Sequence, residues 1–411
     1  MTSPEILVVG GGPAGTAAAH WLARAGHEVV VAEKKEYPRE KTCGDGLTPR
    51  AIFELEEMGY DFSAIEFHKT TGLRSYAGDI MLEMEWPTHT KYPSWGGVIR
   101  RADLDAQVAM LAEKQGAVIR QGTEARAIAD GNGVSSVQLV RNGEIEEVQP
   151  RVVVVADGSL SRFGRQLGTN RTKGYPYALA LRGYFTSERS TDPYIESHLD
   201  VRDADGRSIP GYGWVFPLGD GTINVGVGVL STFKGWKEIN TSDLLDALVD
   251  QLPEHWGVDR SSAISEPVGG KLPMAFSVGP KCGRNWLLVG DAAGAVNPFN
   301  GEGIDYAYET GRMAASHIGA ALEAGDLGLL AAYPQALEDR YGLYHRVARA
   351  FVRAIGNPAL MRTLVRTGLR SRPLMNGVLR IMANIMDEED PRVAERTYRM
   401  LERLVEVGPR P

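Results

Sequence analysis

A glycine-rich turn near the start of the chain has the spacing of a phosphate-binding loop. Gly10, Gly12 and Gly15 form the pattern Gly-x-Gly-x-x-Gly, with Pro13 and Ala14 between the second and third glycine. Because glycine has no β-carbon, backbone amides can approach a pyrophosphate closely, and a helix that starts here points its positive end at the phosphates. The pattern predicts a dinucleotide-binding turn.

The elements around this turn have the order that the chemistry requires. An apolar run at residues 6–9 precedes it, an alanine-rich stretch at residues 16–25 follows it, and a second apolar run at residues 28–32 ends at Glu33. At that position a carboxylate can accept hydrogen bonds from ribose hydroxyl groups. Strand, helix, second strand and acid together predict one βαβ unit that binds a dinucleotide.

Two later segments predict further strands of the same parallel sheet. Residues 151–156 form an apolar run that ends at Asp157, and residues 285–289 form another that ends at Gly290 and Asp291. Near-continuous apolar runs are typical of strands that are covered on both faces. Asp157 and Asp291 are therefore candidates for the ligand-binding edge of the sheet, with simple helix caps as the alternative.

The segment between these two strands has a different character. Residues from about 175 to 278 alternate apolar and polar positions and contain the turn dipeptides Asp205-Gly206 and Asp220-Gly221. Alternation of this kind is typical of antiparallel strands with one buried face. The sequence therefore predicts an α/β fold in which a doubly wound domain is interrupted by a β-rich insertion.

The composition excludes several classes of protein. The chain has 411 residues, with 45 Lys+Arg against 52 Asp+Glu and a net charge of −7, which argues against a nucleic-acid partner. Cys43 and Cys282 are too few for an iron–sulfur cluster or a Cys₄ zinc site, and we expect no metal. No apolar run reaches a membrane span and no secretory signal follows Met1, so we expect a cytoplasmic protein.

Three sets of motifs resemble those of the group A flavoproteins, a family that includes para-hydroxybenzoate hydroxylase, flavin-dependent halogenases and geranylgeranyl reductases. The motifs are RADLD at residues 101–105, DGSLS at 157–161, and GDAA at 290–293 followed by NP at 297–298 and GEG at 301–303. The resemblance implies that the cofactor is FAD. It assigns Arg101 to the pyrophosphate and Asp291 to the ribityl chain. The amides near Gly303 and Ile304 would face the isoalloxazine.

The complete set of expected FAD-binding residues combines the glycine turn with these motifs. The set is Gly10, Gly12, Pro13, Ala14, Gly15, Glu33, Lys34, Cys43, Gly44, Asp45, Arg101, Ala125, Asp157, Gly290, Asp291, Gly303 and Ile304.

Two further motifs resemble the geranylgeranyl reductases within that family. Residues 41–47 (KTCGDGL) are similar to their cysteine-bearing loop, and residues 210–217 (PGYGWVFP) are similar to their YxWxFP signature. The resemblance implies that Cys43 lies near the flavin and that Tyr212 and Trp214 face an isoprenoid channel, so these three residues are the catalytic-site candidates. An inert cysteine and an ordinary packed strand face are the alternatives.

Within the geranylgeranyl reductases, the strongest resemblance is to the bacterial enzymes that saturate one isoprene unit of menaquinone. It implies an FAD-dependent reductase that saturates a carbon–carbon double bond in the isoprenoid chain of a membrane lipid. The alternatives are reduction of another prenyl lipid and hydroxylation of an aromatic substrate by a group A monooxygenase. The halogenase motif WxWxIP is absent from the sequence. The proton donor is left open between Cys43, Tyr212 and an ordered water.

The sequence does not identify the electron donor. A second Gly-x-Gly-x-x-Gly between a strand and a helix is absent, because Gly226 and Gly228 fall in an alternating strand segment. The donor is therefore expected to be a separate reductant or a transiently bound NAD(P)H.

The C-terminal region is unusually basic. From Leu343 to Met386 there are eight arginines and no acidic residue, at positions 346, 349, 353, 362, 366, 370, 372 and 380. Met361, Leu364, Val365, Gly368 and Leu369 have helical spacing, with Arg362, Arg366 and Arg370 on another face. One interpretation is peripheral docking on an anionic membrane surface. The other is a helix packed on the protein body with its basic face in solvent.

These patterns divide the chain into six segments. FAD-binding parts are predicted at residues 1–64, 100–172 and 279–327, a substrate-domain segment at 65–99, the β-rich substrate domain at 173–278, and a helical C-terminal region at 328–411.

Overall fold

The computed structural model describes residues 3–387, 389–391, 395–396, 398–400 and 402. Its strands are β1 (Ile6–Val9), β2 (Val29–Ala32), β3 (Gly46–Leu47), β4 (His68–Thr70), β5 (Gly72–Ala77), β6 (Ile80–Glu85), β7 (Gly96–Val98), β8 (Val118–Arg120), β9 (Glu124–Asp130), β10 (Gly133–Arg141), β11 (Glu144–Val148), β12 (Val152–Val155), β13 (Asn170–Arg171), β14 (Tyr177–Thr186), β15 (Tyr194–His198), β16 (Gly211–Pro217), β17 (Thr222–Leu230), β18 (Val268–Pro273), β19 (Val278–Gly279), β20 (Cys282–Gly283) and β21 (Trp286–Leu288). Its α-helices are α1 (Pro13–Arg24), α2 (Pro49–Glu57), α3 (Arg101–Lys114), α4 (Arg162–Gln166), α5 (Thr241–Gln251), α6 (Ile304–Glu323), α7 (Tyr333–Leu337), α8 (Leu343–Ala354), α9 (Pro358–Gly368) and α10 (Arg372–Met382).

The first sheet has six strands in the order β20-β21-β12-β1-β2-β8. All neighbouring pairs are parallel except β20 with β21, which are antiparallel. Strands β1, β2 and β12 are buried along their whole length, which explains why their sequences are continuous apolar runs. The predicted doubly wound α/β architecture is confirmed.

Close packing of α1 against α6 brings three loops to one edge of this sheet. An ideal β-carbon on Gly311 would lie 2.5 Å from the carbonyl oxygen of Ala14, so a larger residue would force the two helices apart. Gly290 has φ +56°, and its β-carbon would lie 2.7 Å from that of Ala14. The turn after β1, the turn after β21 and the start of α6 are therefore held together.

The second sheet has seven strands in the order β18-β14-β17-β16-β15-β5-β6. Its neighbouring strands are antiparallel except for the parallel pair of β15 and β5. In β17 the odd positions Val225, Val227 and Val229 belong to a hydrophobic core that includes helix α5. The even positions, which include Asn224 and Gly226, face the other side of the sheet, toward the first domain.

A three-stranded antiparallel sheet of β9, β10 and β11 was not predicted from the sequence. Its hairpin turn is formed by Asn142 and Gly143, which have φ angles of +51° and +85°. Two successive positive φ angles at an Asn-Gly pair are typical of a type I′ hairpin turn. The Asn-Gly dipeptide is therefore the signal that could have predicted this sheet.

The C-terminal region forms helices α8, α9 and α10, as the helical prediction requires. Met361 and Leu369 are 8% and 3% exposed, and both pack into hydrophobic cores together with Val365. Leu364 was predicted to share this face, but it is 48% exposed. Among the described residues, none of the helices combines the length and the hydropathy needed to cross a lipid bilayer.

Candidate active site

The three glycines of the first turn have different reasons for being glycine. Gly10 has φ +101°, and its β-carbon would lie 2.4 Å from the carbonyl oxygen of Ala156. The β-carbon of Gly15 would lie 1.9 Å from the carbonyl oxygen of Gly10. At Gly12, by contrast, the only described atom within 4 Å would be Nη2 of Arg39, at 3.7 Å. The fold itself thus requires Gly10 and Gly15, whereas Gly12 borders open space.

Helix α1 begins directly beside this open space. It starts at Pro13, and none of the described side chains caps its N-terminus. The backbone amides of a first helical turn have no partner within the helix, so they are free to bind an anion. The open position at Gly12 and the uncapped start of α1 together form a cradle with the hydrogen-bond donors that a pyrophosphate requires.

Glu33 lies at the edge of the same cradle. Its carboxylate accepts hydrogen bonds from the backbone amides of Gly11 at 2.7 Å and Lys35 at 2.9 Å. Arg39 forms an ion pair with Glu33 at 3.3 Å and another with Asp105 at 3.0 Å. Glu33 is only 6% exposed, so this ion pair fixes the carboxylate at the end of β2.

Arg101 lies at the start of α3, beneath the cysteine-bearing loop. Its guanidinium donates two hydrogen bonds to the Asp105 carboxylate, at 2.8 and 2.9 Å, and its backbone amide donates to Asp45 Oδ1 at 3.1 Å. Arg101 is 6% exposed. A buried bidentate pair of this kind holds the guanidinium rigidly, between the glycine turn and the loop that carries Cys43.

Asp45 is the buried centre of the cysteine-bearing loop. It has φ +67°, which is uncommon for a residue with a side chain, and its relative exposure is 0%. Its Oδ2 accepts hydrogen bonds from the Tyr184 hydroxyl at 2.7 Å and from the Asn224 amide at 2.8 Å. Burial raises the pKa of Asp45 to about 6, although these donors oppose the shift. A strained backbone at a buried acid is a feature of functional sites.

Asn224 connects the loop to the second sheet. Its side-chain amide also donates to the Cys43 carbonyl oxygen at 2.9 Å, and its Oδ1 accepts from Trp214 Nε1 at 2.9 Å. Arg182 donates to the same Cys43 carbonyl at 3.2 Å. No sequence motif predicts a role for Asn224, Arg182 or Tyr184. A polar side chain in the middle of an otherwise apolar strand is the signal that could have identified Asn224.

The predicted aromatic residues share one face of β16. Tyr212, Trp214 and Phe216 point toward the cysteine-bearing loop, and the Tyr212 and Trp214 ring centroids are 5.9 Å apart. The Tyr212 hydroxyl donates to the carbonyl oxygen of Asn300 at 2.6 Å. A β-carbon on Gly226 would lie 2.1 Å from the Trp214 ring, so that glycine makes room for the indole. The result is an aromatic wall opposite residues 43–46.

The chemical state of Cys43 follows from its surroundings. Burial raises the pKa of the Cys43 thiol, and the nearby Arg101 guanidinium only partly opposes this shift. A cysteine with a raised pKa is protonated at neutral pH and is a poor nucleophile. The geometry therefore favours Cys43 as a neutral wall residue over a thiolate.

Not all of the predicted cofactor residues have free side chains. The Asp157 carboxylate accepts hydrogen bonds from the Ser161 hydroxyl at 2.6 Å and the Phe163 amide at 2.8 Å, and so orders the turn into α4. The N-cap of α4 is Ser161, so Asp157 supports this cap without being the cap itself, and its place beside the cofactor stays a prediction. Lys34 is 60% exposed and pairs with Glu124 at 2.6 Å.

The remaining predicted positions lie at the start of α6 and on strand β9. A β-carbon on Gly303 would lie 3.4 Å from Asp291 Oδ1, so the turn after β21 and the first residue of α6, Ile304, are adjacent. Ala125 lies on β9 beside the first sheet. Gly44 packs against the aromatic wall, where its β-carbon would lie 2.9 Å from Phe216.

The chain belongs to the FAD-binding domain family. The model of that family, described as "FAD binding domain", matches residues 3–341. FAD is therefore the cofactor, and the open cradle at Gly12, the uncapped start of α1 and the Glu33 carboxylate fit its dinucleotide part.

The relatives of this chain narrow the class further. Menaquinone reductase of Mycobacterium tuberculosis is 40% identical over 99% of this chain and 98% of that protein. Digeranylgeranylglycerophospholipid reductase of Thermoplasma acidophilum is 29% identical over 84% of this chain and 86% of that protein. These relatives confirm the predicted resemblance to the geranylgeranyl reductases.

Solved structures show the same fold. A geranylgeranyl bacteriochlorophyll reductase-like protein from Thermoplasma acidophilum superposes with a TM-score of 0.77 at 24% identity, covering 98% of this chain and all of that one (100%). A flavin-dependent brominase superposes with a TM-score of 0.75 at 19% identity, covering 99% of this chain and 100% of that one. At these identities the likeness shows the fold alone.

Proposed function

We propose that this protein is an FAD-dependent reductase that saturates one carbon–carbon double bond in the isoprenoid tail of menaquinone. The observation that carries the proposal is the 40% identity to a menaquinone reductase along nearly the whole of both chains. Similarity over 99% of this chain includes the second sheet and the C-terminal helices as well as the FAD-binding part. The substrate-binding regions are therefore related, and not the cofactor domain alone.

The proposal gives each part of the site a task. Gly12 and the start of α1 hold the pyrophosphate, and Glu33 holds the adenosine ribose. Arg101, at the base of the cysteine-bearing loop, and Asp291 bind the middle of the cofactor. The amides of Gly303 and Ile304 face its flavin ring.

The remaining predicted positions line this same path. Gly10 and Gly15 shape the turn, Pro13 and Ala14 begin α1, and Gly290 packs the second turn against that helix. Lys34, Ala125 and Asp157 border the adenosine end, and Cys43, Gly44 and Asp45 border the flavin.

Once reduced by the electron donor, bound FAD would supply a hydride to one carbon of the alkene. The work of this chain is to align the double bond with the flavin and to keep water out. Tyr212 and Trp214 are proposed to supply one apolar side of the path for the tail, and Cys43 in its neutral form lies on the loop that packs against them. The Asn224 hydrogen bonds keep the loop and the wall at a fixed separation.

The electron donor is proposed to be a separate reductant or NAD(P)H that binds transiently. Within this chain, the one glycine-rich turn between a strand and a helix is the turn at Gly10 to Gly15, and it is used for FAD. Because this chain offers no second dinucleotide-binding turn for NAD(P)H, the electron donor is proposed to approach the flavin from solvent.

The quinones of the cell provide the first test of this proposal. Cells that lack the protein should contain menaquinone with a fully unsaturated tail, whereas cells that express it should contain menaquinone with two additional hydrogen atoms in the tail. Mass spectrometry of total quinones measures both forms. An unchanged saturation profile would remove menaquinone as the substrate. An altered profile of another prenyl lipid would instead favour the wider geranylgeranyl reductase activity.

The C-terminal helices are proposed to rest on an anionic membrane surface. Leu360, Leu364 and Leu374 are 40%, 48% and 52% exposed, and the exposed Arg370 and Arg372 lie between them in the chain. Exposed apolar side chains interspersed with cations are typical of helices that bind the interface of anionic membranes. The substrate is a membrane lipid, so a surface of this kind would bring the site to it.

The exposed leucines and arginines of α9, α10 and the residues between these helices allow a specific test of this membrane proposal. Changing Leu360, Leu364 and Leu374 to serine, or Arg370 and Arg372 to glutamate, should lower binding to vesicles that contain anionic lipid by about tenfold or more. Co-sedimentation measures the binding, and the flavin content should stay unchanged.

Arg366 serves as the matched control for the charge reversals. It already forms an ion pair with Asp79 at 3.1 Å, so reversing its charge should affect membrane binding less than the change at Arg370 and Arg372. If the triple leucine variant and the double arginine variant both bound vesicles as well as the wild type, this surface would face solvent and not a membrane.

A further inference from the structure

Beneath the start of α6 lies a group of three carboxylates, two buried and one partly exposed, to which the proposed reaction assigns no role. Glu302, Asp305 and Glu309 surround the guanidinium of Arg50, which is 1% exposed. We call these four residues the buried acid cluster. A cluster with more carboxylates than guanidinium groups must either hold protons or bear a large unbalanced charge.

Within the cluster, the Arg50 guanidinium forms its shortest ion pair with Glu309. Arg50 Nη2 lies 2.6 Å from Glu309 Oε2, and the Tyr341 hydroxyl donates to the same oxygen. Burial opposes ionisation of Glu309, but Arg50 and Arg340 outweigh it and lower the pKa of this carboxyl. Glu309 is therefore the ionised partner of Arg50.

Asp305 is left without adequate partners. It is 0% exposed, no side chain among the described residues donates a hydrogen bond to its carboxylate, and the backbone amide of Tyr306 only partly opposes the effect of burial. Arg50 Nε lies 3.3 Å from Oδ2, but it shares its charge with Glu309 and makes no hydrogen bond there. Burial raises the pKa of Asp305 well above its usual range, and the charge of Glu302 raises it further. A buried carboxyl whose partners do not compensate for the loss of water stays protonated at neutral pH.

Glu302 connects the start of α6 to the active site. Its carboxylate accepts hydrogen bonds from the Thr48 hydroxyl, at the end of the cysteine-bearing loop, and from the Asn300 amide at 3.2 Å. Asn300 is the residue whose carbonyl oxygen accepts the Tyr212 hydroxyl. Burial also raises the pKa of Glu302. Glu302 is partly exposed, whereas Asp305 is fully enclosed, so Glu302 is the member of the pair that can meet the substrate.

We infer that Glu302 is the acid that protonates the alkene. This inference rests on the proposed function. The π bond breaks as one alkene carbon accepts a hydride, with its two electrons, from the reduced cofactor. The other carbon accepts the proton of the Glu302 carboxyl group, whose O–H bond breaks to leave a carboxylate. Solvent then reprotonates that carboxylate.

Other titratable groups surround this pair and have to be separated from it in any measurement of pH dependence. They are Arg50 and Glu54 on α2, Lys91 and Tyr92 before β7, Tyr306, Glu309 and Arg312 on α6, Arg340 and Tyr341 before α8, His345 on α8, and Cys43 and Tyr212 at the site. Glu54 matters most, because burial raises its pKa to about 7. Glu54→Gln is therefore the matched control, since it removes a buried acid that lies outside the buried acid cluster and contacts Arg312 instead of Asn300.

The test measures tail saturation in a single turnover without oxygen. Reduced enzyme is mixed with menaquinone and quenched, and the sample is exposed to air before mass spectrometry so that any reduction of the ring is reversed. The wild-type rate should fall about tenfold per pH unit above the pKa of the donor, because only the protonated acid reacts. Glu302→Gln should lower the rate by at least about 100-fold and abolish this pH dependence. Glu302→Asp should retain part of the rate and of the pH dependence. Glu54→Gln should leave the rate within about threefold of wild type and the pH dependence unchanged.

A second readout does not depend on turnover. The infrared difference spectrum between oxidised and reduced enzyme should contain a carboxylic-acid C=O band that shifts in D₂O and is lost in Glu302→Gln but not in Glu54→Gln. A Glu302→Gln enzyme with wild-type rate and pH profile, or with the band unchanged, would overturn the inference. Failure of the wild-type enzyme to saturate menaquinone would instead overturn the proposed function, and the infrared band would still decide the protonation of Glu302.

Discussion

Replacing Gly12 by valine is expected to give a folded protein that no longer retains FAD. The position borders open space in front of α1, so the protein itself has room for the new side chain. That space is where the pyrophosphate is proposed to lie, and a branched side chain would fill it. We expect FAD affinity to fall by at least about 100-fold, which corresponds to about 3 kcal/mol. The flavin absorbance of the purified protein and titration of the apoprotein with FAD measure the effect.

Gly15→Val is the matched control for this prediction. Its β-carbon would lie 1.9 Å from the carbonyl oxygen of Gly10, so this variant should lose stability as well as FAD. Circular dichroism and thermal unfolding separate the two outcomes. A yellow, fully loaded Gly12→Val protein would contradict the proposed position of the pyrophosphate.

Replacing Asn224 by alanine is expected to damage both stability and catalysis. The change leaves the Cys43 carbonyl, the Asp45 carboxylate and the Trp214 indole each without one hydrogen-bond partner in a buried site. Unsatisfied buried polar groups of this kind cost about 3 kcal/mol in total. Tail saturation should fall by about 100-fold or more, because the loop and the aromatic wall lose their fixed separation.

An exposed asparagine provides the comparison for Asn224. Asn376 lies on the outer face of α10, and Asn376→Ala should change the free energy of unfolding by less than about 0.5 kcal/mol. Urea unfolding of both variants measures the difference. If Asn224→Ala were as stable and as active as Asn376→Ala, the hydrogen-bond network would have no part in positioning the loop.

The features predicted correctly from the sequence are those with local signals. The glycine turn at Gly10 to Gly15 lies between two apolar runs, and the alternating stretch around Val225 predicts an antiparallel strand without knowledge of its partners. Both depend on spacing within a few residues. The α/β fold with its β-rich insertion could therefore be predicted before the structure was known.

The network around Asp45 could not be predicted in the same way. Asp45 and Asn224 are 179 residues apart in the sequence, and they meet because the second sheet folds back onto the first domain. Asn224 is one polar residue in an apolar strand, which marks it as unusual but does not identify its partners. The roles of Glu302 and Asp305 could not be predicted for a related reason. Both acids lie next to a glycine motif in the sequence, and the sequence does not show which carboxylate the fold encloses.

The C-terminal helices show how charge patterns can mislead. Arg362, Arg366 and Arg370 were predicted to form one basic face. In the structure Arg362 donates a hydrogen bond to Ser208 at 2.8 Å, and Arg366 pairs with Asp79, so part of that face is used within the protein. Helical periodicity gives the direction of a side chain but not the partner that it meets.

The most direct test of the central claim uses purified, chemically reduced enzyme and menaquinone in the absence of oxygen. Transfer of electrons to the quinone ring would also oxidise the flavin, and it would add two hydrogen atoms to the molecule. The ring is therefore reoxidised in air before mass spectrometry, so that any remaining gain of two hydrogen atoms belongs to the tail. We predict one oxidised flavin for each menaquinone whose tail has gained two hydrogen atoms. Oxidised flavin with no change in the mass of the tail would contradict the claim that this site reduces an isoprenoid double bond.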